Sequence, residues 1–331
     1  MTDPGMDLDG MDLDGMDLDG MDLDGRLEEY LRIRRSLGYK LERDGKLLAQ
    51  FIAWLHEQHA AAVTVEHAVA WVSLPAAGSG WLRLRMSVVR GFAAYLHTLD
   101  PAVPVPPAGL FPPGPHRAVP YLYSADELAA LLAATDTLRY PLQRATYRTL
   151  IGLLAVTGLR VGEGIGLNDA DLDDEHGVLT VTGKFNKLRQ VPLHPSAVAA
   201  LRAYQRQRRA AHPRPSTPAL LVSTPGTRLS YVNVSATFVK LVRRAGLAPR
   251  SASCRPRPHD LRHSFAVATL LDWYRDGGDV AARLPLLSTY LGHVEPANTY
   301  WYLHAAPELL AQAAHRLDAH LGLPAQPAGR R

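Results

Sequence analysis

Apolar positions follow a helical period over most of this chain and a two-residue alternation in one short stretch. Leu48, Phe51, Ile52 and Leu55 recur at i, i+3, i+4 and i+7, the spacing of one buried helical face. Helices are predicted across residues 26–100. The last runs from about Trp81 to His97, with Leu84, Val88, Phe92 and Tyr95 as its apolar stripe. From Asp100 to Pro120 the periodicity stops, and eight prolines occupy positions 101, 104, 106, 107, 112, 113, 115 and 120. Proline fixes φ and lacks a backbone donor, so residues 101–120 read as a semi-stiff linker. Beyond it, Ser124-Ala125-Asp126-Glu127 is a capping box ahead of an apolar helix, and residues 150–156 continue as a buried helix that ends near Gly158. Residues 178–182 and 188–193 alternate as two strands around a turn at 183–187, with 220–223 a candidate third strand. Helical patterns fill the remainder through Leu321. The expected fold is mainly α with a small antiparallel β-sheet, in two domains spanning 26–100 and 121–323, followed by a disordered tail at 324–331.

The charge is unevenly distributed. Four Met-Asp-Leu-Asp-Gly repeats fill residues 6–25, and residues 1–25 hold nine Asp and no Lys or Arg. Glycine at every fifth position and alternating Asp cannot bury a core, so residues 1–25 are expected to be a disordered acidic tail. This segment either imitates a phosphate backbone or is a repeat expansion without function. The formal net charge of +4 therefore hides a body with 36 basic and 23 acidic side chains. Arg outnumbers Lys by 31 to 5. That bias fits G- and C-rich coding DNA, and it equally fits a polyanionic partner, because Arg presents phosphate with a planar fork of donors. Arg83, Ser87, Arg90 and His97 share one face of their predicted helix. That face is either simply solvated or tracks phosphates, which makes Arg83 and Arg90 candidate DNA contacts. The single cysteine, Cys254, excludes an internal disulfide framework and a Cys-based zinc cluster. No apolar run reaches the length of a membrane span, and the acidic N-terminus is unlike a secretory signal. A cytoplasmic protein without a membrane partner is expected.

Candidate chemistry collects in the second domain. Arg160 follows a glycine break at Thr157-Gly158-Leu159, and Lys184 sits at a hairpin tip. His259 and Arg262, three apart, open a helix lasting to about Arg275, where backbone donors and the helix dipole already favour an anion. His293 closes Leu291-Gly292-His293, and Tyr302 follows nine residues later. A metal-dependent nuclease would need Asp or Glu to hold its ions. A phosphate site without metal needs fixed cations on the non-bridging oxygens, a protein-borne nucleophile and a proton for the leaving alkoxide. Two Arg, a Tyr, a Lys and two His meet those needs. The set is coherent for phosphodiester transesterification.

Thr157-Gly158-Leu159-Arg160-x-x-Glu163, the Gly183-Lys184 hairpin, His259-x-x-Arg262, Leu291-Gly292-His293 and Tyr302-x-His304 resemble, in order and spacing, the tyrosine recombinases or phage integrases. The resemblance covers roughly residues 121–310. Residues 26–100 are similar, less specifically, to that family's helical core-binding domain. Residues 284–290 also resemble the transposon-encoded branch. What the resemblance implies is a two-domain clamp, a core-binding domain plus an α+β catalytic domain, closed around double-stranded DNA. It implies strand cleavage and rejoining through a 3′-phosphotyrosyl intermediate, with no cofactor, metal or ATP, in the service of mobile-element integration, excision or transposition. It further implies a homotetramer on two recombination sites, which other recombinases of the same element could join. Carried over residue by residue, Tyr302 is the nucleophile and Arg160 and Arg262 clamp the scissile phosphate. Lys184 protonates the leaving 5′-oxygen, His259 acts as acid and base, and His293 hydrogen-bonds the phosphate. Glu163 orients its neighbours.

Tyr300 competes with Tyr302, and since two helical residues differ by about 200° only one can face the site; the family spacing selects Tyr302. Lys187 competes with Lys184, and spacing from Arg160 selects Lys184. The plain alternatives are an exposed Arg160–Glu163 ion pair and a core or capping role for His259 and His263. Gly162, Gly164 and Gly166 depart from the family's usual helix after Arg160 and leave its local geometry open. A helix after His304, with Leu310, Ala314, Leu317 and Leu321 on one face, either packs within its own domain or docks on a neighbouring protomer. The rival functions are relaxation of the type IB topoisomerase kind, a DNA-binding accessory protein with a decayed site, and a metal-dependent nuclease.

Overall fold

The computed structural model describes residues 22–60, 62–74, 78–112, 119–183, 186–293, 295 and 299–300. The chain forms two compact units, residues 1–117 and 118–331. Among the described residues the first unit is all helical: α1 (Leu23–Ser36), α2 (Glu42–Glu57), α3 (Val65–Ser73) and α4 (Ser79–Leu99). Its core joins Leu48, Phe51, Ile52 and Leu55 of α2 to Trp71 of α3 and to Val88, Phe92 and Leu96 of α4, the face that the periodicity predicted. Two boundaries shift. Helix α1 starts at Leu23, so the last acidic repeat is not all tail: the Asp22 carboxylate accepts from the Gly25 amide at 2.9 Å, and Leu23 lies buried with Leu27 and Leu31. The repeat happens to supply an N-cap acid followed by an apolar residue in helical register. The proline-rich stretch is not all linker either. His97 Nδ1 lies 2.8 Å from the Val103 carbonyl, and Val103 is buried in this core with Phe111 packed against it.

The second unit holds α5 (Ala125–Ala134), α6 (Pro141–Thr157), the short α7 (Val161–Gly166), β1 (Leu172–Asp173), β2 (Val178–Thr182), β3 (Leu188–Pro192), α8 (Pro195–Ala211), α9 (Tyr231–Arg244), α10 (Asp260–Arg275) and α11 (Val280–Leu291). The predicted capping box is made: Glu127 N–H donates to Ser124 Oγ at 3.1 Å, and Ser124 N–H donates to Glu127 Oε2 at 2.9 Å. Helix α6 is the central element, with Leu150, Ile151, Leu153 and Leu154 buried among Leu201 and Tyr204 of α8, Phe238 and Leu241 of α9 and Leu261 of α10. The fold is thus mainly α with a three-stranded antiparallel sheet in the order β1-β2-β3. Residues 220–223 are not its third strand. Val222 makes only an isolated bridge to Arg228, and Leu172–Asp173 takes the edge beside β2. A run of four apolar residues says "buried" without saying "paired", and here it lines the core as irregular chain.

Register decides which side chains the sheet turns inward. Leu179 pairs with Val191 and Val181 with Arg189, so Arg189 shares the inner face with three buried aliphatic residues. Gly158 ends α6 in the left-handed conformation (φ +62°), and a Cβ there would meet Phe265 at 2.5 Å and Leu291 at 3.0 Å. Both the backbone and the space demand glycine. Of the three glycines of α7 only Gly164 has a packing cause: a Cβ there would press to 3.3 Å on Leu150 and Leu154 of α6, so glycine lets α7 sit close, whereas Gly162 and Gly166 face open space. We expect Gly158→Ala to lower unfolding free energy by about 1–3 kcal/mol, measured by urea denaturation. Unchanged stability would show that the turn tolerates a side chain.

Candidate active site

The site is organised by the end of α11. A helix leaves its last carbonyls without intrahelical partners. Here three consecutive carbonyls are each taken by an arginine from a different element. Arg189 of β3 donates through Nε to the Tyr290 carbonyl at 2.9 Å. Arg262, in the first turn of α10, donates to Leu291 O at 2.7 Å and, through its other terminal nitrogen, to Gly158 O at 2.9 Å. Arg160, the residue before α7, donates to Gly292 O at 3.1 Å. Positive charge at helix C-termini is favourable, and Arg262 serves two such ends at once, those of α6 and α11.

Glu163 balances this cluster. It accepts from the Arg160 amide (2.9 Å) and guanidinium (2.8 Å), and from both terminal nitrogens of Arg189 (3.2 and 2.8 Å). Burial works to raise its carboxyl, but these four donors outweigh burial and hold it below the ordinary carboxylate range. Arg160–Glu163 is therefore no isolated surface pair; the Glu163 side chain is 7% exposed and shared between two arginines. Three guanidiniums and one carboxylate leave two positive charges at a place where one phosphodiester brings one negative charge.

His293 follows directly in the turn that Gly292 opens (φ +68°). Its Nδ1 lies 2.7 Å from Thr299 Oγ1, which fixes the ring's orientation. Burial, and then the charges of Arg262, Arg160 and Arg189, push its pKa from the ordinary 6.5 down to about 4, against the opposing pull of Glu163. The imidazole is neutral at pH 7 and can donate one hydrogen bond without adding charge.

Of the residues named from the sequence, Arg160, Arg262 and His293 come together here. His259 precedes α10 and is exposed, with its ring edge-on to the buried His263 at 4.9 Å between centroids. That pair holds no third ligand: no group of three His, Cys, Asp or Glu suited to a metal occurs among the described residues. Lys184, Tyr302, His304, Leu310, Ala314, Leu317 and Leu321 lie outside the described residues; Tyr300 is described and is half exposed. Arg83 and Arg90 line a surface groove of the first unit together with Ser87 and residues 108–111. Arg189 was missed. Its signal was an arginine at an inward position of a strand, in step with Val191 and Leu193, where a solvated charge has no place.

The depressed His293 pKa sets a pH dependence of stability. The unfolded chain binds a proton at about pH 6.5 and the fold resists it until about pH 4, so stability is full above pH 6.5 and falls as the pH drops between them. Urea midpoints across pH 4–7.5 should show this loss, and His293→Gln should flatten it. Equal slopes in both proteins would overturn the assignment.

The sequence model of the phage integrase family matches residues 122–308. The chain is 42% identical over 301 residues to the integrase/recombinase y4rB of Sinorhizobium fredii, covering 88% of this chain and 96% of that one. It is 35% identical over 219 residues to the tyrosine recombinase XerC of Azotobacter vinelandii, covering 66% of this chain and 67% of that one. In fold it is similar to the Tn1549 transposon integrase, solved in complex with transposon right end DNA. The TM-score is 0.60 at 16% identity, over 91% of this chain and 100% of that one. Matched along most of its length by these relatives, and over its second unit by the family model that spans the arginine cluster, the chain belongs to the phage integrase family, the tyrosine recombinases.

Proposed function

We propose that this protein is a metal- and ATP-independent DNA strand-exchange enzyme of a mobile element, cutting and rejoining strands through a 3′-phosphotyrosyl intermediate. The observation that carries this is the convergence of Arg160, Arg262 and neutral His293 on one helix end, with net positive charge left for a phosphate. Arg160 and Arg262 are the clamp on the scissile phosphate. His293 donates to a non-bridging oxygen as charge builds there, a group held in place beforehand and needing no reorganisation. Tyr302 attacks phosphorus and the 5′-oxygen leaves. Lys184 delivers its proton, and His259, exposed at the start of α10, moves protons to and from the phenol and alkoxide. The phosphotyrosine conserves the bond energy, so reversal by a 5′-hydroxyl rejoins DNA without ATP. Glu163 is committed to Arg160 and Arg189 and is not a metal ligand in this scheme.

The first unit is proposed as the core-binding domain, with Arg83 and Arg90 on phosphates, and residues 121–323 as the catalytic domain. Two recombining duplexes present four strands, so one active site per strand calls for four protomers. No helix among the described residues is long and apolar enough to cross a membrane. A cytoplasmic location is proposed from the DNA substrate and from the lone Cys254, which is buried as a free thiol.

A nicked duplex carrying the end of the encoding element, incubated without metal, should yield a covalent protein–DNA adduct on a denaturing gel. The adduct should survive Tyr300→Phe and vanish with Tyr302→Phe; the opposite pattern would reassign the nucleophile. Arg160→Ala should slow adduct formation by roughly 100-fold or more while leaving DNA bound. Unimpaired cleavage would remove Arg160 from the clamp. Cleavage without any adduct that is lost in EDTA would favour a metal nuclease, and relaxation of any supercoiled plasmid without a defined site would favour the topoisomerase reading. Binding should weaken steeply with salt, and Arg83→Ala or Arg90→Ala should each lower the salt slope by about one. An unchanged slope would leave that face as solvated surface.

A further inference from the structure

Arg189 belongs to none of the five motifs that carry the resemblance, yet it bonds both the carboxylate that holds Arg160 and the helix end that leads to His293. Its guanidinium spans Glu163 with both terminal nitrogens, and through Glu163 it holds Arg160. Its Nε takes the Tyr290 carbonyl. It also lies directly under two glycines. A Cβ on Gly292 would meet Arg189 Nη1 at 2.9 Å, and one on Gly183 would meet the same nitrogen at 3.5 Å and Glu163 Oε1 at 3.9 Å. Gly292 is the residue before His293, and Gly183 is the residue before Lys184. The side chain is 13% exposed, and its backbone is pinned by the β2–β3 register opposite Val181.

We propose that Arg189 is a positioning residue, which fixes Arg160 and the turn bearing His293 in one register around the phosphate. This rests on the phosphotyrosyl reading above for its catalytic consequence but not for its geometry. A guanidinium suits the task because one planar group can serve a carboxylate with two parallel bonds and a carbonyl with a third. Lysine offers a point charge and cannot reproduce the fork. Gly292 follows from the same arrangement: a side chain there would occupy the guanidinium's space or force it aside, whereas a Cβ on Gly183 would only rest against it. Arg189 has a second effect by charge. His293 faces Arg262 from α10, Arg160 from the start of α7, Arg189 from β3 and Glu163 from α7, and removing one cation makes its protonation easier.

The two effects separate by substitution. On the nicked duplex under single-turnover conditions, Arg189→Lys and Arg189→Gln should both slow adduct formation, by up to ~100-fold if the clamp shifts by about 1 Å. DNA affinity, spread over many phosphates, should change little. Arg189→Lys keeps the charge, so the acid limb of its rate–pH profile should stay in place, whereas the limb of Arg189→Gln should move to higher pH. Glu163→Gln cuts the same link from its other end, and the double variant with Arg189→Gln should be no slower than the slower single variant. Adduct formation within about threefold of the parent in both Arg189 variants would overturn the proposal, as would fully multiplicative losses in the double variant. A parent protein that forms no adduct would refute the phosphotyrosyl reading instead. NMR titration of His293, identified by its loss in His293→Gln, then tests Arg189 without DNA. An upward shift in Arg189→Gln but not in Arg189→Lys supports the placement, and no shift in either refutes it.

Discussion

The second unit depends on how the end of one helix is satisfied. Tyr290, Leu291 and Gly292 carry carbonyls with no helical partner, and each is taken by an arginine that comes from far away in sequence. A buried carbonyl left bare costs about 1–3 kcal/mol, so these contacts bind β3, α10 and the start of α7 to the same few atoms. The guanidiniums are brought together by a structural need and then serve a chemical one. Pre-placed donors cost no reorganisation when charge develops, which is why fixed geometry is worth more in catalysis than the same groups on mobile side chains.

Electrostatic balance limits how far this can go. Three clustered cations, one buried and two partly so, would oppose folding without compensation, because desolvated charges are tolerated only when paired and hydrogen-bonded. Glu163 supplies four acceptor contacts and reduces the surplus to two charges, and His293 adds none because burial, and then the same cations, keep it neutral. The carboxylate thus makes the arginine cluster tolerable in the free protein and leaves enough field to receive an anion.

The abundance of arginine over lysine, open to two readings in the composition, has a third use in this fold. Arg208 is buried with Nη1 on the Ala219 and Leu220 carbonyls, and Arg228 reaches the carbonyls of residues 165–167 and the Asn168 side chain. Arg85 lies over the Trp71 ring at 3.5 Å in the first unit. Such side chains work as internal staples, which a compact ammonium could not do with the same reach and planarity. Part of the basic charge is therefore structural and unavailable to DNA.

The sequence by itself determined the elements and the family. The periodicity of α2, the capping box at Ser124, the glycine end of α6 and the His259–Arg262 helix start are all local, set by spacing within one or two turns. The ordered motifs around Arg160, Arg262 and His293 were legible for the same reason. Only the tertiary structure decided what depends on contacts between distant segments. It moved the start of α1 into the acidic repeat, drew Val103 into a core and gave the third strand to residues 172–173. It also placed Arg189 against Glu163, 26 residues away in sequence, and against Tyr290, 101 away. An inward arginine can be read from strand alternation, but its partners cannot, because hydrogen-bond satisfaction across a fold is settled by which chain ends meet and not by the residues beside them.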